Sequence, residues 1–213
     1  MVALKNEKED EALKLIEDGL ARFGEDFDLL VLYGVCLTQK KEYKRAISIF
    51  KNLIKQSPED DYLYFQLGVA YDGLSNKDWA IKYLYMAIRL NPKNSEGYNY
   101  IGYTWVDKGK NLGRAMRLIE KALEIEPDNP AYIDSLGWCY YKLENLDVAL
   151  SILLKAYSLK NDDPVILEHI GDVYRDKGIT KEAEKFFKLS LDKFKEEKDK
   201  QRIKEKLRWK ISD

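Results

Sequence analysis

The residues that could carry chemistry are few, and their spacing argues against a reaction. His169 is the only histidine and Cys36 and Cys139 the only cysteines. One imidazole and two distant thiols cannot complete a zinc set, and two cysteines are too few for a disulfide framework. No G-x-S-x-G, phosphate-cradling glycine loop or dinucleotide fingerprint occurs. Ser135 and Asp134 adjoin Gly137, but one turn of helix does not hold a serine on the sharp turn that a nucleophile needs. His169 reads as a polar filler at a helix junction or edge, with a pH-sensitive contact as the sharper alternative. The cysteines read as small buried apolar residues. No catalytic residue, metal or cofactor is expected, and the chain is not read as an enzyme.

Composition narrows the partners. Of 213 residues, 45% are hydrophobic and 34% charged, which suits a folded body with much surface per residue. The 36 Lys and Arg nearly cancel the 37 Asp and Glu, so no global charge attracts nucleic acid or an anionic membrane. There is no run of 18 apolar residues, hence no membrane-spanning helix in this stretch. The opening MVALKNEKED lacks the apolar core of a secretory signal. The expected compartment is the cytoplasm, with the periplasm as the alternative if an export signal has been removed.

The elements behind these residues repeat. Gly34, Gly68, Gly102, Gly137 and Gly171 stand 34, 34, 35 and 34 apart. Each is followed 12 residues later by an alanine (Ala46, Ala80, Ala149, Ala183), or 13 in the third unit (Ala115), where one extra residue falls near Gly109–Leu112. Leu37, Tyr71, Trp105, Tyr140 and Tyr174 stand three after each glycine, and Leu53, Ala87, Ala122, Ala156 and Ser190 seven after each alanine. Pro58, Pro92 and Pro127 lie twelve past their alanines. Five coincident columns at one period define a repeat array.

This pattern resembles the tetratricopeptide repeat, a 34-residue helix–turn–helix unit with small residues at these places and a closing proline. The resemblance covers Phe27 to about Phe194 in units 27–60, 61–94, 95–129, 130–163 and 164–197, and NPAYIDSLGWCYYKLENLDVAL is similar to repeats of bacterial members. Leu53 in place of a small residue, and Asn161 and Lys195 in place of proline, depart from the pattern. The implied fold is all-α: a right-handed αα-superhelix of five repeats with an extra N-terminal helix and a C-terminal capping helix. The physics agrees. Gly and Ala let paired helices approach closely, while Leu67, Tyr71, Leu84 and Ile88 fill the flanking ridges. Asn129–Pro130 and Asp163–Pro164 read as an N-cap followed by proline at the first helical position. Gly109 and Gly178 stand where a left-handed residue can end a first helix.

The ends follow the frame only in part. In residues 1–26, Ala12, Ile16 and Gly19 match the second helix of a unit whose first helix is missing. That is either a solitary capping helix or the mark of a chain cut from a longer protein, and the second reading is preferred. Residues 198–213 should form an amphipathic cap with Ile203, Leu207 and Ile211 at four-residue steps. Residues 193–210 hold nine Lys or Arg against four Glu or Asp, read as a solvated face, with contact to an acidic partner as the alternative.

In the family the first helices line the concave face, where ligands lie, and that implies where a site would be. Residues two, five, nine and twelve of each unit share one helical stripe. The expected groove residues are Val31, Val35, Tyr62, Phe65, Val69, Asn99, Tyr103, Asp134, Trp138, Tyr141, Glu168, Asp172 and Arg175. Aromatics anchor interfaces, since they bury much area with few rotors. Asp134, Glu168, Asp172 and Asp176 should make the C-terminal part acidic and complementary to a ligand with apolar and then basic residues. The basic clamp that some members use for peptide C-termini is absent, because Val31, Val35, Phe65, Val69 and Tyr103 occupy its places beside Asn99. The reading is therefore a non-enzymatic scaffold that grips a peptide segment or helix of another protein. A homo-oligomerising scaffold and a regulatory segment of a larger protein are the alternatives. No nucleic acid is expected, since aromatic stacking without a basic groove lacks the phosphate term.

Overall fold

The computed structural model describes residues 2–208, with side chains from Glu11 onward, and every regular element in it is an α-helix. Twelve helices follow in order: α1 (Val2–Phe23), α2 (Phe27–Gln39), α3 (Tyr43–Gln56), α4 (Asp61–Gly73), α5 (Lys77–Leu90), α6 (Ser95–Asp107), α7 (Leu112–Ile125), α8 (Pro130–Lys142), α9 (Leu146–Leu159), α10 (Pro164–Asp176), α11 (Thr180–Lys193) and α12 (Glu197–Arg208). Ile211 and the rest of the capping helix beyond residue 208 lie outside the described residues. The helices group into two compact units divided between Gly97 and Tyr98, in the first turn of α6.

In the first unit, α2 pairs with α3 and α4 with α5, while α1 packs on α2. The core runs through Leu37, Ala46, Phe50, Leu53, Leu63 and Leu67, with Leu13 of α1 at its margin. In the second unit, α8 pairs with α9, α10 with α11, and α12 packs on α11. Its core gathers Ile133, Leu153, Ile166 and Ile170, flanked by Val106, Ile119 and Cys139 on one side and Phe187, Phe194 and Ile203 on the other.

The glycine column is where paired helices touch. A Cβ on Gly137 would come within 2.7 Å of Leu153 Cγ, and one on Gly34 within 2.7 Å of the Phe50 ring. The side chain four residues after each unit's alanine fills that contact: Phe50, Leu84, Ile119, Leu153 and Phe187 are all 0% exposed. Ser190 keeps a small residue in its column by donating its hydroxyl to the Pro164 carbonyl at 2.8 Å. Leu53, the departure from that column, is wholly buried.

Local signals act as expected. Asn129 and Asp163 cap α8 and α10, accepting from the Ala131 and Val165 amides at 3.1 and 3.0 Å, with proline at the start of each helix. Gly109 and Gly178 have φ of 61° and 75°, in the left-handed region where glycine carries no Cβ penalty. Lys41, Ser75 and Glu144 hold the same place in the other units with φ of 63°, 59° and 61°. The extra residue of the third unit is absorbed by Asn111, also left-handed at φ 52°. Cys139 is buried, its thiol 3.7 Å from the Leu112 carbonyl, and burial pushes its pKa up to about 11, as suits a packing residue. Cys36 is half-buried.

Candidate functional site

In the first unit the expected stripe comes from α2 and α4. Val31 and Val35 are half-buried against the core at a four-residue step. On α4, Tyr62, Phe65 and Val69 follow at steps of three and four. Phe65 and Val69 are half-buried, whereas Tyr62 is 45% exposed. The α4 N-terminus is fixed by Asp60, whose carboxylate accepts from the Tyr62 and Leu63 amides at 3.0 and 3.3 Å. The middle of this strip carries no ionisable side chain other than the Tyr62 phenol. Asp28 and Asp72, at the second and twelfth places of the same stripe, bring carboxylates to its ends, and Asp72 accepts from Lys77.

In the second unit the stripe residues of α8 and α10 come together in a buried polar and aromatic cluster. Trp138 stacks on Tyr141 with ring centroids 4.4 Å apart and on His169 at 4.0 Å. His169 Nδ1 lies 2.9 and 3.1 Å from the two Asp134 carboxylate oxygens. A carboxylate only accepts, so the proton belongs on Nδ1. Lys142 Nζ sits 4.8 Å from the Trp138 ring centroid. His169 thus occupies a helix junction, as the sequence suggested, but as the second face of the tryptophan stack. Burial, reinforced by the Asp134 charge, raises the Tyr103 hydroxyl well above its ordinary value and keeps it a neutral donor. Three buried side-chain polar atoms have no hydrogen-bond partner among the described residues: Trp138 Nε1, Asn99 Oδ1 and Asp172 Oδ1.

The expected open acidic surface is not what the structure has. Asp134, Glu168 and Asp172 are 5%, 5% and 2% exposed. Besides the Asp134–His169 contact, Arg202 of α12 grips Glu168 bidentately, Nε to Oε1 at 2.9 Å and Nη2 to Oε2 at 2.8 Å. Lys206 donates to Glu168 at 2.6 Å and to Asp172 at 2.5 Å. Arg175 Nη1 lies 2.9 Å from Asp172 Oδ1, a contact without hydrogen-bond geometry, and its Nε donates to Asp176 at 2.8 Å. Asp176 also accepts the Tyr141 hydroxyl at 2.6 Å. A buried carboxylate must be paired, and here the partners come from the chain itself. The basic run was read as solvated or aimed at an acidic partner; two of its cations instead close over α10. A signal for this was present: Arg202 and Lys206 each stand 34 residues after Glu168 and Asp172. By register α12 is a sixth first helix, packed on α11 and linked to α10 through Arg202 and Lys206.

No cluster of three His, Cys, Asp or Glu suited to a metal occurs among the described residues, and no described helix is long and apolar enough to cross a membrane.

Comparison with known proteins agrees with this architecture. Residues 1–196 match the model of the tetratricopeptide repeat. TPR repeat-containing protein PA4667 of Pseudomonas aeruginosa is 28% identical over 142 residues, which are 66% of this chain and 24% of that protein. Small glutamine-rich tetratricopeptide repeat-containing protein 2 of Saccharomyces cerevisiae is 28% identical over 125 residues, 59% of this chain and 36% of that one. The chain thus spans between a quarter and about a third of these two relatives. Among solved structures, a tetratricopeptide repeat protein of Parabacteroides merdae superposes with a TM-score of 0.77 at 17% identity, covering 98% of this chain and 80% of that one. TTC0263, a thermophilic repeat protein of Thermus thermophilus, gives 0.72 at 20% identity, covering 84% and 98%. At such identities the structures speak for the fold alone. The family model spans most of the sequence and the helical pairs carry its small-residue columns, so the chain belongs to the tetratricopeptide repeat family.

Proposed function

We propose that this chain is a protein-interaction scaffold that holds an apolar peptide segment or helix of a partner against its first helices. Tetratricopeptide repeats are generally protein–protein interaction modules, and the family is generally one of non-enzymatic scaffolds. The observation that carries the finer reading is the apolar middle of the first unit's strip, between Asp28 and Asp72, where Tyr62 stands 45% exposed beside half-buried Phe65, Val69, Val31 and Val35. An aromatic standing proud of an apolar strip is the usual anchor of an interface. Because Glu168 and Asp172 are already paired with α12, the partner need not be basic, and apolar character dominates its recognition.

Tyr62→Ala tests the reading. A partner captured from the source cell by the wild-type chain should bind the variant at least about tenfold more weakly, the effect of losing one aromatic anchor. Its thermal midpoint should stay near that of the wild type, because Tyr62 is not part of the core. Undiminished binding by a folded Tyr62→Ala variant would overturn the strip as the binding surface.

A further inference from the structure

The second helices of the complete repeats differ in charge. α3 and α5 together hold seven Lys or Arg against one Asp, whereas α7, α9 and α11 hold eight against six Asp or Glu. In the second unit, Lys121, Lys155, Lys185 and Lys188 each lie beside a carboxylate of that unit. In the first, Arg45 and Lys77 are paired with Glu42 and Asp72. Lys44, Lys51, Lys55, Lys82 and Arg89 stand exposed, and no ion pair joins any of them to a described carboxylate. Two of these cations rest on aromatic rings. Tyr71 of α4 stacks on Tyr83 and Trp79 of α5 at centroid distances of 5.4 and 5.9 Å, and Trp79 on Tyr83 at 5.7 Å. Lys51 Nζ of α3 lies 5.4 Å from the Tyr71 centroid, and Lys82 Nζ 4.3 Å from that of Trp79. Asp78 stands one helical turn from Lys82, yet the ammonium sits over the indole instead. The rings thus link α3, α4 and α5 into one basic and aromatic surface, in which Trp79 is 41% exposed.

We propose that this face of α3 and α5 is a second interaction surface, which docks an acidic segment of a partner protein carrying an apolar residue among its carboxylates. Charge complementarity names the occupant: five exposed cations share the face with one carboxylate. The ring contacts already hold Lys51 and Lys82 where a carboxylate would meet them, so little side-chain freedom is lost on binding. The apolar residue covers the exposed part of Trp79. Single-stranded nucleic acid is the poorer occupant. A base needs an open ring face, but Trp79 stacks on Tyr71 and Tyr83 and carries Lys82 over its ring. An anionic membrane also fits less well, because α3 exposes Ser48, Asn52 and Gln56 between its cations and no large apolar residue to enter the bilayer.

The test titrates the full chain into a fluorescent glutamate-rich peptide with a central phenylalanine. Saturable binding is expected, weakened at least about tenfold by Lys51→Glu with Lys82→Glu, and less by Lys51→Met with Lys82→Met. Lys185→Glu with Lys188→Glu makes the same change of net charge on α11 and should leave binding unchanged. Tyr62→Ala should also leave it unchanged, which separates this face from the apolar strip. Every side chain replaced is exposed, so all variants should keep the wild-type helical circular dichroism. The proposal fails if no saturable binding is seen, if a peptide with glutamine in place of glutamate binds as well, or if the α11 pair weakens binding as much. Tighter binding of an oligothymidylate strand or of phosphatidylserine vesicles, lost with Lys51→Glu and Lys82→Glu, would overturn it in favour of those ligands. A concentration-dependent dimer in sedimentation equilibrium that the same pair dissolves would overturn it in favour of a second copy.

Discussion

Burial of Glu168 would by itself raise its carboxyl, yet the donors of Arg202 and Lys206 outweigh burial and hold it below the usual carboxylate range. The stripe rule correctly placed Glu168 and Asp172 on one face, but not the fate of that face, which depends on a helix one period away. What the sequence displayed as charge was, in three dimensions, half of an ion-pair network. Trp138 is the parallel case. Its place on the stripe was legible, but its stacking on His169, 31 residues further on, was not. We expect Lys206→Met, which keeps the stem and removes the charge, to destabilise the fold by about 1–3 kcal/mol, the penalty of leaving carboxylate oxygens short of a donor. The figure stays below the 3–5 of a fully buried pair because the Lys206 side chain is 22% exposed and solvent screens it. In a Glu168→Gln, Asp172→Asn background the same substitution should be nearly neutral in chemical denaturation. An equal loss in both backgrounds would mean that Lys206 acts through packing alone.

Among the elements, the turn that ends each first helix shows how far propensity reaches. All five turns place the residue seven after the column glycine in the left-handed region, at Lys41, Ser75, Gly109, Glu144 and Gly178, and the longer third turn adds Asn111. Two could be recognised because glycine stood there; the other three hide behind residue types that favour no such turn. Tertiary closure of each helical pair imposes the conformation, and a side chain in it costs about 1–2 kcal/mol. Glycine would relieve this strain while adding about 0.5–1 kcal/mol of unfolded-state entropy. Glu144→Gly is therefore expected to stabilise by a net of about 0.5–1 kcal/mol, measured as a raised urea midpoint with unchanged slope. The reverse change, Gly178→Ala, should destabilise by about 1 kcal/mol. A fall in the Glu144→Gly midpoint would show that the side chain contributes more than its backbone strain costs.

For the molecule as a whole, the repeat count and the all-α class followed from columns of small residues, because close helix approach leaves a mark at every period. The distribution of stability did not, since it rests on ion pairs between elements. The carboxylates held below their ordinary range, among the described residues, are Asp163, Glu168, Asp176 and Glu197. All four lie between the cap of α10 and the start of α12. For the first three, burial pulls upward and is outweighed: by Lys160 and the Val165 amide at Asp163, by Arg202 and Lys206 at Glu168, and by Arg175 and Tyr141 at Asp176. For exposed Glu197 the Lys204 hydrogen bond leads, helped by the Lys204 and Lys200 charges. A carboxyl whose folded value lies below its unfolded one adds stability above the unfolded value, near 4 for these side chains, and forfeits it as the pH falls through the folded value. Acid should therefore loosen α10 and α12 before α4 and α5. Pepsin at about pH 3, just under the ordinary carboxylate range, gives the readout. First cuts are expected around α12, where wholly buried Ile203 becomes accessible, with α4 and α5 surviving longer. Glu168→Gln should bring those cuts on at higher pH, because the pairing it removes is already missing at neutrality. Initial cleavage in α4 or α5, or a cleavage order indifferent to Glu168→Gln, would show that the carboxylates of α10 do not set the acid limit of this array.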